Sequence, residues 1–192
     1  MSLAQNVHRM CNSELNGLAR NRYIDEETQL EIAKHPYLIC RKHLAENPSI
    51  TDSTVDILLS GRANSVKHNL VGSNRLNDRP DLIEKIYFDS GSRFKESWRV
   101  GMTFLRGGWY GGTPNTPVSV LKDIYKRIIQ TEAKDAHSQW SASHWGRHLA
   151  SHPNVDSELA VKMSLSTVEP TRKAAFDAIV RLRREELKAA SA

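Results

Sequence analysis

The chain has 192 residues, 39% hydrophobic and 26% charged, a balance that excludes global disorder and allows one sizeable core or one short repeat array. Its formal charge is +5 and its isoelectric point about 9.3, which permits nucleic acid or acidic protein partners without requiring either. No run approaches the roughly 20 apolar residues of a membrane span, and residues 1–10 hold no long apolar stretch, so neither a membrane segment nor a secretory signal is expected and the chain reads as cytoplasmic.

Asp25-Glu26-Glu27 reads as a helix start, because carboxylates are favourable at the positive end of the helix dipole. A short helix is predicted over 28–34, with Leu30, Ile32 and Ala33 apolar. His35-Pro36 ends it, since a residue before proline resists the helical conformation. A second helix is predicted over 37–45, carrying Leu38, Ile39, Leu44 and Ala45 and closed by Asn47-Pro48. The next unit repeats the scheme. Thr51-Asp52-Ser53 caps a helix with Val55, Ile57, Leu58 and Leu59, Gly61 interrupts it, and 65–71 is the partner helix.

A third unit opens at Asn77-Asp78-Arg79-Pro80, with Leu82, Ile83, Ile86 and Tyr87 at helical spacing and a partner helix over 94–105. In the fourth, Thr113-Pro114-Asn115-Thr116-Pro117 is a proline-led start, followed by Val120, Leu121, Ile124 and Tyr125 in a pattern that runs to about 130. An insertion over 131–139 precedes its partner helix at 145–150. The fifth unit starts at Pro153-Asn154-Val155-Asp156 and carries Leu159, Val161, Met163 and Leu165. Glu169-Pro170 leads into a last helix over 171 to about 189, with Ala175, Phe176, Ile179, Val180 and Leu182 apolar. Its basic end, Arg181, Arg183, Arg184 and Lys188, is expected to fray. Period-2 alternation is absent over any useful length, so the chain reads as all-α.

One phrase recurs along this order. Ala19-Arg20-Asn21, Leu44-Ala45-Glu46-Asn47-Pro48 and Leu149-Ala150-Ser151-His152-Pro153 are near copies, and Leu70-Val71-Gly72-Ser73-Asn74 is a looser one. Ala19 to Ala45 is 26 residues, and Ala45 to Val71 is 26 again. A fixed period of this size implies stacked helical units, each too small to bury its own core. The expected architecture is an α-solenoid of about five stacked short helix pairs in one domain over 1–192. Its repeats fall over about 18–182 and its basic helix end over 183–192.

The phrase, followed by a Thr- or Asp-led helix and a second helix bearing Arg or Lys, resembles the variant leucine-rich repeat and the wider HEAT-like group, best over residues 41–60 and 147–165. The resemblance implies short alternating helices in a right-handed superhelix. Some members of the family carry a cysteine cluster for iron–sulfur ahead of the repeats. Cys11 and Cys40, the only cysteines, cannot supply it, so no cofactor is expected. Two thiols fit a reducing compartment, with a single disulfide as the alternative.

Aligned partner helices place Arg41 and Lys42, Lys67 and His68, Arg99, Arg147 and His148, and Arg172 and Lys173 at equivalent positions. Equivalent positions in a solenoid form a stripe, which can follow a phosphate backbone or an acidic protein. The bland alternative is that each cation pairs with a neighbouring carboxylate or caps a helix end. Trp98, Trp109, Tyr110, Trp140 and Trp145 fall in the longer central units, where rings either stack on a ligand or fill a wider gap. Trp109 and Tyr110 sit in the glycine-rich run that starts at Arg106, read as an interaction loop over 106–117; no Gly-Lys-Ser/Thr follows it, so it is not a phosphate loop. His144 and His148 lie four apart, but no carboxylate completes a metal pattern and none is expected.

These readings favour a non-enzymatic module that binds a protein through its concave face and the 106–117 loop. The alternative is DNA binding along the basic stripe. HEAT-like DNA glycosylases supply a third: there an acidic residue and tryptophans in the concavity act on an alkylated base. Trp98, Trp109 and Trp145 bring that reading into view, but no residue matches the catalytic acid by motif.

Overall fold

The computed structural model describes residues 2–73, 76, 78–90, 101–105, 115–129 and 136–191. Among them every regular element is helical and no strand occurs. In chain order they are α1 (Leu3–Asn6) with a 3₁₀ turn at Val7–Arg9, α2 (Asn12–Arg20), α3 (Glu26–Lys34), α4 (Leu38–Ala45), α5 (Asp52–Ser60), α6 (Asn64–Gly72) and α7 (Pro80–Asp89). A π-helical turn at Gly101–Leu105 follows. Then come α8 (Val118–Ile124), which continues as a π-helical turn over Tyr125–Ile129, α9 (Ala136–Ala150), α10 (Ser157–Ser164) and α11 (Glu169–Ala189). No helix among the described residues is long and apolar enough to cross a membrane.

The first helices of the first, second and fifth units are nucleated by a side-chain cap, whereas α7 and α8 start at Arg79 and Pro117 without one and carry a proline at the start. Asp25 Oδ1 accepts from Thr28 N at 2.7 Å, and Asp156 Oδ1 from Leu159 N at 2.8 Å. Thr51 Oγ1 takes the same role toward Thr54 N at 3.4 Å. Each satisfies a backbone donor that the first helical turn leaves without a partner. α4 and α6 start without such a bond, from Tyr37 and Ala63. Short helices of this kind are marginal alone and depend on the faces they bury.

The recurrent phrase has a physical meaning. The residue just past a helix end turns the chain by accepting the N–H two residues on. Asn21 Oδ1 accepts from Tyr23 N at 3.0 Å, His35 Nδ1 from Tyr37 N at 3.1 Å, and Asn47 Oδ1 from Ser49 N at 3.0 Å. His152 Nδ1 and Ser166 Oγ repeat the bond to Asn154 N and Val168 N, both at 3.1 Å. Asn and His both offer an acceptor on a short side chain, which is why they alternate at this position. The proline that follows Asn47, His35 and His152 holds the turn residue itself out of the helical conformation.

The same register orders the core. Ile24, Ile50 and Leu76 lie 26 residues apart and are all buried, as are Ala19, Ala45 and Val71. Leu44 and Leu70 are fully buried, each stabilising by roughly 1.5–3 kcal/mol. Among the described residues α2 packs on α4 and α4 on α6, while α3 packs on α5. α3 also touches α4, and α5 touches α6. Further on, α7 meets α8, and α9 and α10 both lie on α11. A Cβ built on Gly146 would collide with the Thr171 side chain, so glycine is what lets α9 and α11 approach so closely.

Several elements differ from the sequence expectation. α2 was not expected as a helix; its start is held by Glu14 Oε2, which accepts from Cys11 N at 2.8 Å, a bond that a cysteine at the cap position does not advertise. α9 begins at Ala136, inside the expected insertion, and α11 begins at Glu169, with its proline in the first turn where no donor is lost. Val161 and Leu165 are exposed rather than core; Val161 lies on the face of α10 opposite to buried Leu159, Ala160 and Met163, and Leu165 caps the helix end.

Candidate functional site

The helices that carry the described members of the expected basic stripe, α4, α6, α9 and α11, are linked by contacts, α6 and α9 through the Gly101–Leu105 turn. α4 contacts α6, α6 contacts the turn at Gly101–Leu105, that turn contacts α9, and α9 contacts α11. Arg147, Arg172 and Lys173 are exposed, and Arg41, Lys42, Lys67 and His148 are half-buried. His68 departs from the stripe. It is 7% exposed, and its Nδ1 lies 3.1 Å from Thr103 Oγ1, so it is an internal polar contact between α6 and the Gly101–Leu105 turn. Equivalent spacing does not specify which element covers a position, and at His68 the Gly101–Leu105 turn lies against it.

Two other members have local structural duties. Arg172 Nη1 donates to the Ser166 carbonyl at 3.3 Å, capping the turn between α10 and α11. The Arg41 guanidinium packs against the α5–α6 joint: its Nη1 lies 3.9 Å from where a Cβ on Gly61 would stand. Its buried Nε has no hydrogen-bond partner among the described residues. Arg99 lies outside the described residues, as do Trp98, Arg106, Trp109 and Tyr110 of the aromatic and loop candidates.

Trp145 is 3% exposed and belongs to the core. It holds the place that Cys40 holds in α4, five residues before the Ala of the phrase, and it fills the same layer with a larger ring. His144 stands edge-on to it at 4.6 Å, and the His144 and His148 rings are T-shaped at 4.9 Å. The far end of the 106–117 loop is anchored. Thr116 is fully buried, donates its hydroxyl to the Phe104 carbonyl at 2.9 Å, and accepts Asn154 Nδ2 on its own carbonyl at 3.1 Å.

Lys67 of the stripe lines a cleft. The cleft lies between α5, α6 and α7 and has a volume of about 500 Å³. Leu59 and Ile86 supply apolar wall, and Asp56, Lys67, Lys85 and Asp89 bring two carboxylates and two ammonium groups. Ser60 also lines it, but its hydroxyl donates to the Ile57 carbonyl at 2.8 Å. Asp56, Lys85 and Asp89 were not candidates from sequence. They come from two helices of neighbouring units, and nothing in their local spacing announces that they converge.

Burial pushes the Cys40 thiol pKa up, and its Sγ donates to the Tyr37 carbonyl at 3.0 Å, so it is held as the unreactive thiol. Cys11 is exposed, and both cysteines are free. Among the described residues no group of three or more His, Cys, Asp or Glu is placed to hold a metal. Neither a protein-family model, nor a curated protein, nor a solved structure matches the chain.

Proposed function

We propose that the chain is a non-enzymatic α-solenoid binding module, similar in plan to variant leucine-rich and HEAT-like repeats, that recognises a protein partner. Support for the stacked plan comes from the packing of α2 on α4 on α6 beside α3 on α5. It comes equally from an inter-unit bond written twice at one spacing. Arg20 Nη2 meets His43 Nε2 at 3.0 Å, and Asn69 Nδ2 donates to Glu46 Oε1 at 2.8 Å, each pair 23 residues apart.

The observation that carries the choice of partner is the cleft of Asp56, Lys67, Lys85 and Asp89. Carboxylates beside ammonium groups and an apolar wall suit a protein segment bearing both signs of charge and an apolar side chain. A phosphate backbone is uniformly anionic and is repelled by Asp56 and Asp89, whereas it selects surfaces of one sign. In this reading Lys42, Lys67 and Arg147 orient the partner, and the 106–117 loop adds Trp109 and Tyr110 as anchors.

A salt series of binding to duplex DNA, single-stranded DNA and RNA tests it. The protein reading expects no binding near physiological salt. Binding there that falls with a log–log slope of about −0.9 per phosphate on duplex, and is lost in Lys67→Glu and Arg147→Glu, overturns it in favour of nucleic acid. Release of a free base from alkylated DNA would overturn the non-enzymatic part.

A further inference from the structure

The outer face of α11 is uncovered along its whole length. Phe176, Val180 and Leu187 are 54%, 50% and 54% exposed, although the opposite face of the same helix buries Thr171, Ala174, Ala175 and Ala178 against the body. Lys173, Phe176, Val180, Arg183 and Leu187 follow the alternating three- and four-residue spacing of a coiled-coil seam, with the apolar residues at three of the five positions. Every residue from 183 to 190 is exposed while the helix continues to Ala189. A helical arm of two turns with no packing of its own gains little stability alone, which points to a surface outside the body that it lies against.

We propose that this face binds the same face of a second copy of the chain, as an antiparallel helix pair about a two-fold axis. Self-complementarity is the argument. Antiparallel pairing centred between Val180 and Arg183 sets Phe176 against Leu187 of the partner subunit, twice by symmetry. The flanking positions then bring Asp177 opposite Arg184 of the partner subunit, again twice. Asp177 and Arg184 are both exposed in the single chain and free to turn toward that contact. Arg183 falls on the seam, but its charge is already met by Glu186 of its own helix at 2.8 Å, and its aliphatic stem covers Val180 of the partner subunit. The arm of one chain thus rests on the body-bearing half of the other helix. This contact is independent of the α5–α7 cleft and of the partner proposed for it.

Sedimentation equilibrium of the full chain across micromolar to submillimolar concentrations tests the inference. A reversible monomer–dimer equilibrium is expected, abolished in Phe176→Glu and Leu187→Glu with the helical circular dichroism unchanged. Asp177→Arg or Arg184→Asp alone should weaken the dimer about tenfold, since two attractive pairs become repulsive, and the double variant D177R/R184D should restore it. A chain that is monomeric throughout overturns the inference. So does a dimer indifferent to Phe176→Glu, or one whose charge-reversed singles are not rescued by the double.

Discussion

The two ends of the molecule use one turn device and hold their neighbours in different ways. In α2 to α6 the residue after the helix also reaches back to the previous unit: Asn47, 2% exposed, donates Nδ2 to the carbonyls of Ala19 and Asn21, both at 2.9 Å. Gln29 does similar work, donating to Ile24 and Ser49 carbonyls at 3.2 Å while accepting from Thr51 N at 2.9 Å. At the other end His152 stands where Asn47 stands. Its ring makes the turn bond, and the neighbouring Asn154 makes the reach to Thr116. Units there are tied by surface charge as well: Lys122 Nζ meets Asp156 at 2.8 Å and Glu158 at 2.5 Å, and within α10 Lys162 meets Glu158 at 2.6 Å. Between α7 and α8, Tyr87 donates to Asp123 at 2.9 Å and Arg127 to the same oxygen at 2.6 Å. Burial pushes the Tyr87 phenol pKa far up, with Asp123 adding to the effect, so it stays a donor. Regular spacing favours short amides buried between units; longer, unequal units leave gaps that rings and long charged side chains bridge.

The largest expected effect lies in the core layer that both ends share. Trp145→Ala removes a buried indole and should cost about 3–5 kcal/mol, against about 1–2 kcal/mol for Val66→Ala at the matching place in α6. Denaturant unfolding of both variants measures the difference; equal losses would mean that the two ends do not share a core register.

Next comes the buried amide. Asn47→Asp keeps the acceptor for Ser49 N and discards both donors, leaving the Ala19 and Asn21 carbonyls facing a carboxylate. A loss of about 1–3 kcal/mol is expected. His152→Asn should be milder, because the turn bond survives. If the two substitutions cost the same, the reach to the previous unit contributes nothing.

His35 should make the first end sensitive to pH. Burial lowers its pKa below 6.5, and the nearby His8 and Arg41 cations act in the same direction. The unfolded chain then takes up the proton more readily than the folded one. The stabilising contribution is present above pH 6.5 and is lost as pH falls through the folded value. His35→Asn, the residue found at the equivalent turns, should flatten the stability–pH curve in that window. A curve identical to that of the unchanged chain would sink the idea.

The smallest effect is expected at the charged end. Lys122, first through its hydrogen bond, and Lys162 hold Glu158 down to about 2, so its contribution persists to acid pH and fades only as pH drops from 4.5 toward that value. All three side chains face solvent, so Lys122→Ala should lower the melting temperature slightly in low salt and not at all in high salt. An effect that survives high salt would mean that these pairs are structural in the manner of Asn47.

Much of the local structure could be read directly. The caps at Asp25 and Thr51, the stop at His35-Pro36 and the paired helices on either side of the phrase follow from short-range rules, because a cap or a turn is decided within four residues. α2 escaped because its start relies on Glu14 reaching back to a cysteine. The candidate surface was less legible. Lys67 was identified, but the cleft it shares with Asp56, Lys85 and Asp89 was not, since three helices must first be packed before those charges meet. His68 and Trp145 stood among surface candidates and lie inside.

By itself, then, the sequence determined an all-helical chain, its turn code and the 26-residue register of its first units. Those properties are set by hydrogen bonds and periodicity between near neighbours. Which residues of that register face water was decided only in the tertiary structure. Phe176 and Val180 have the same local pattern as any core pair, and are exposed because the neighbours of α11 lie on its other face. Burial depends on what a helix meets across a distance in sequence, and no local rule encodes it.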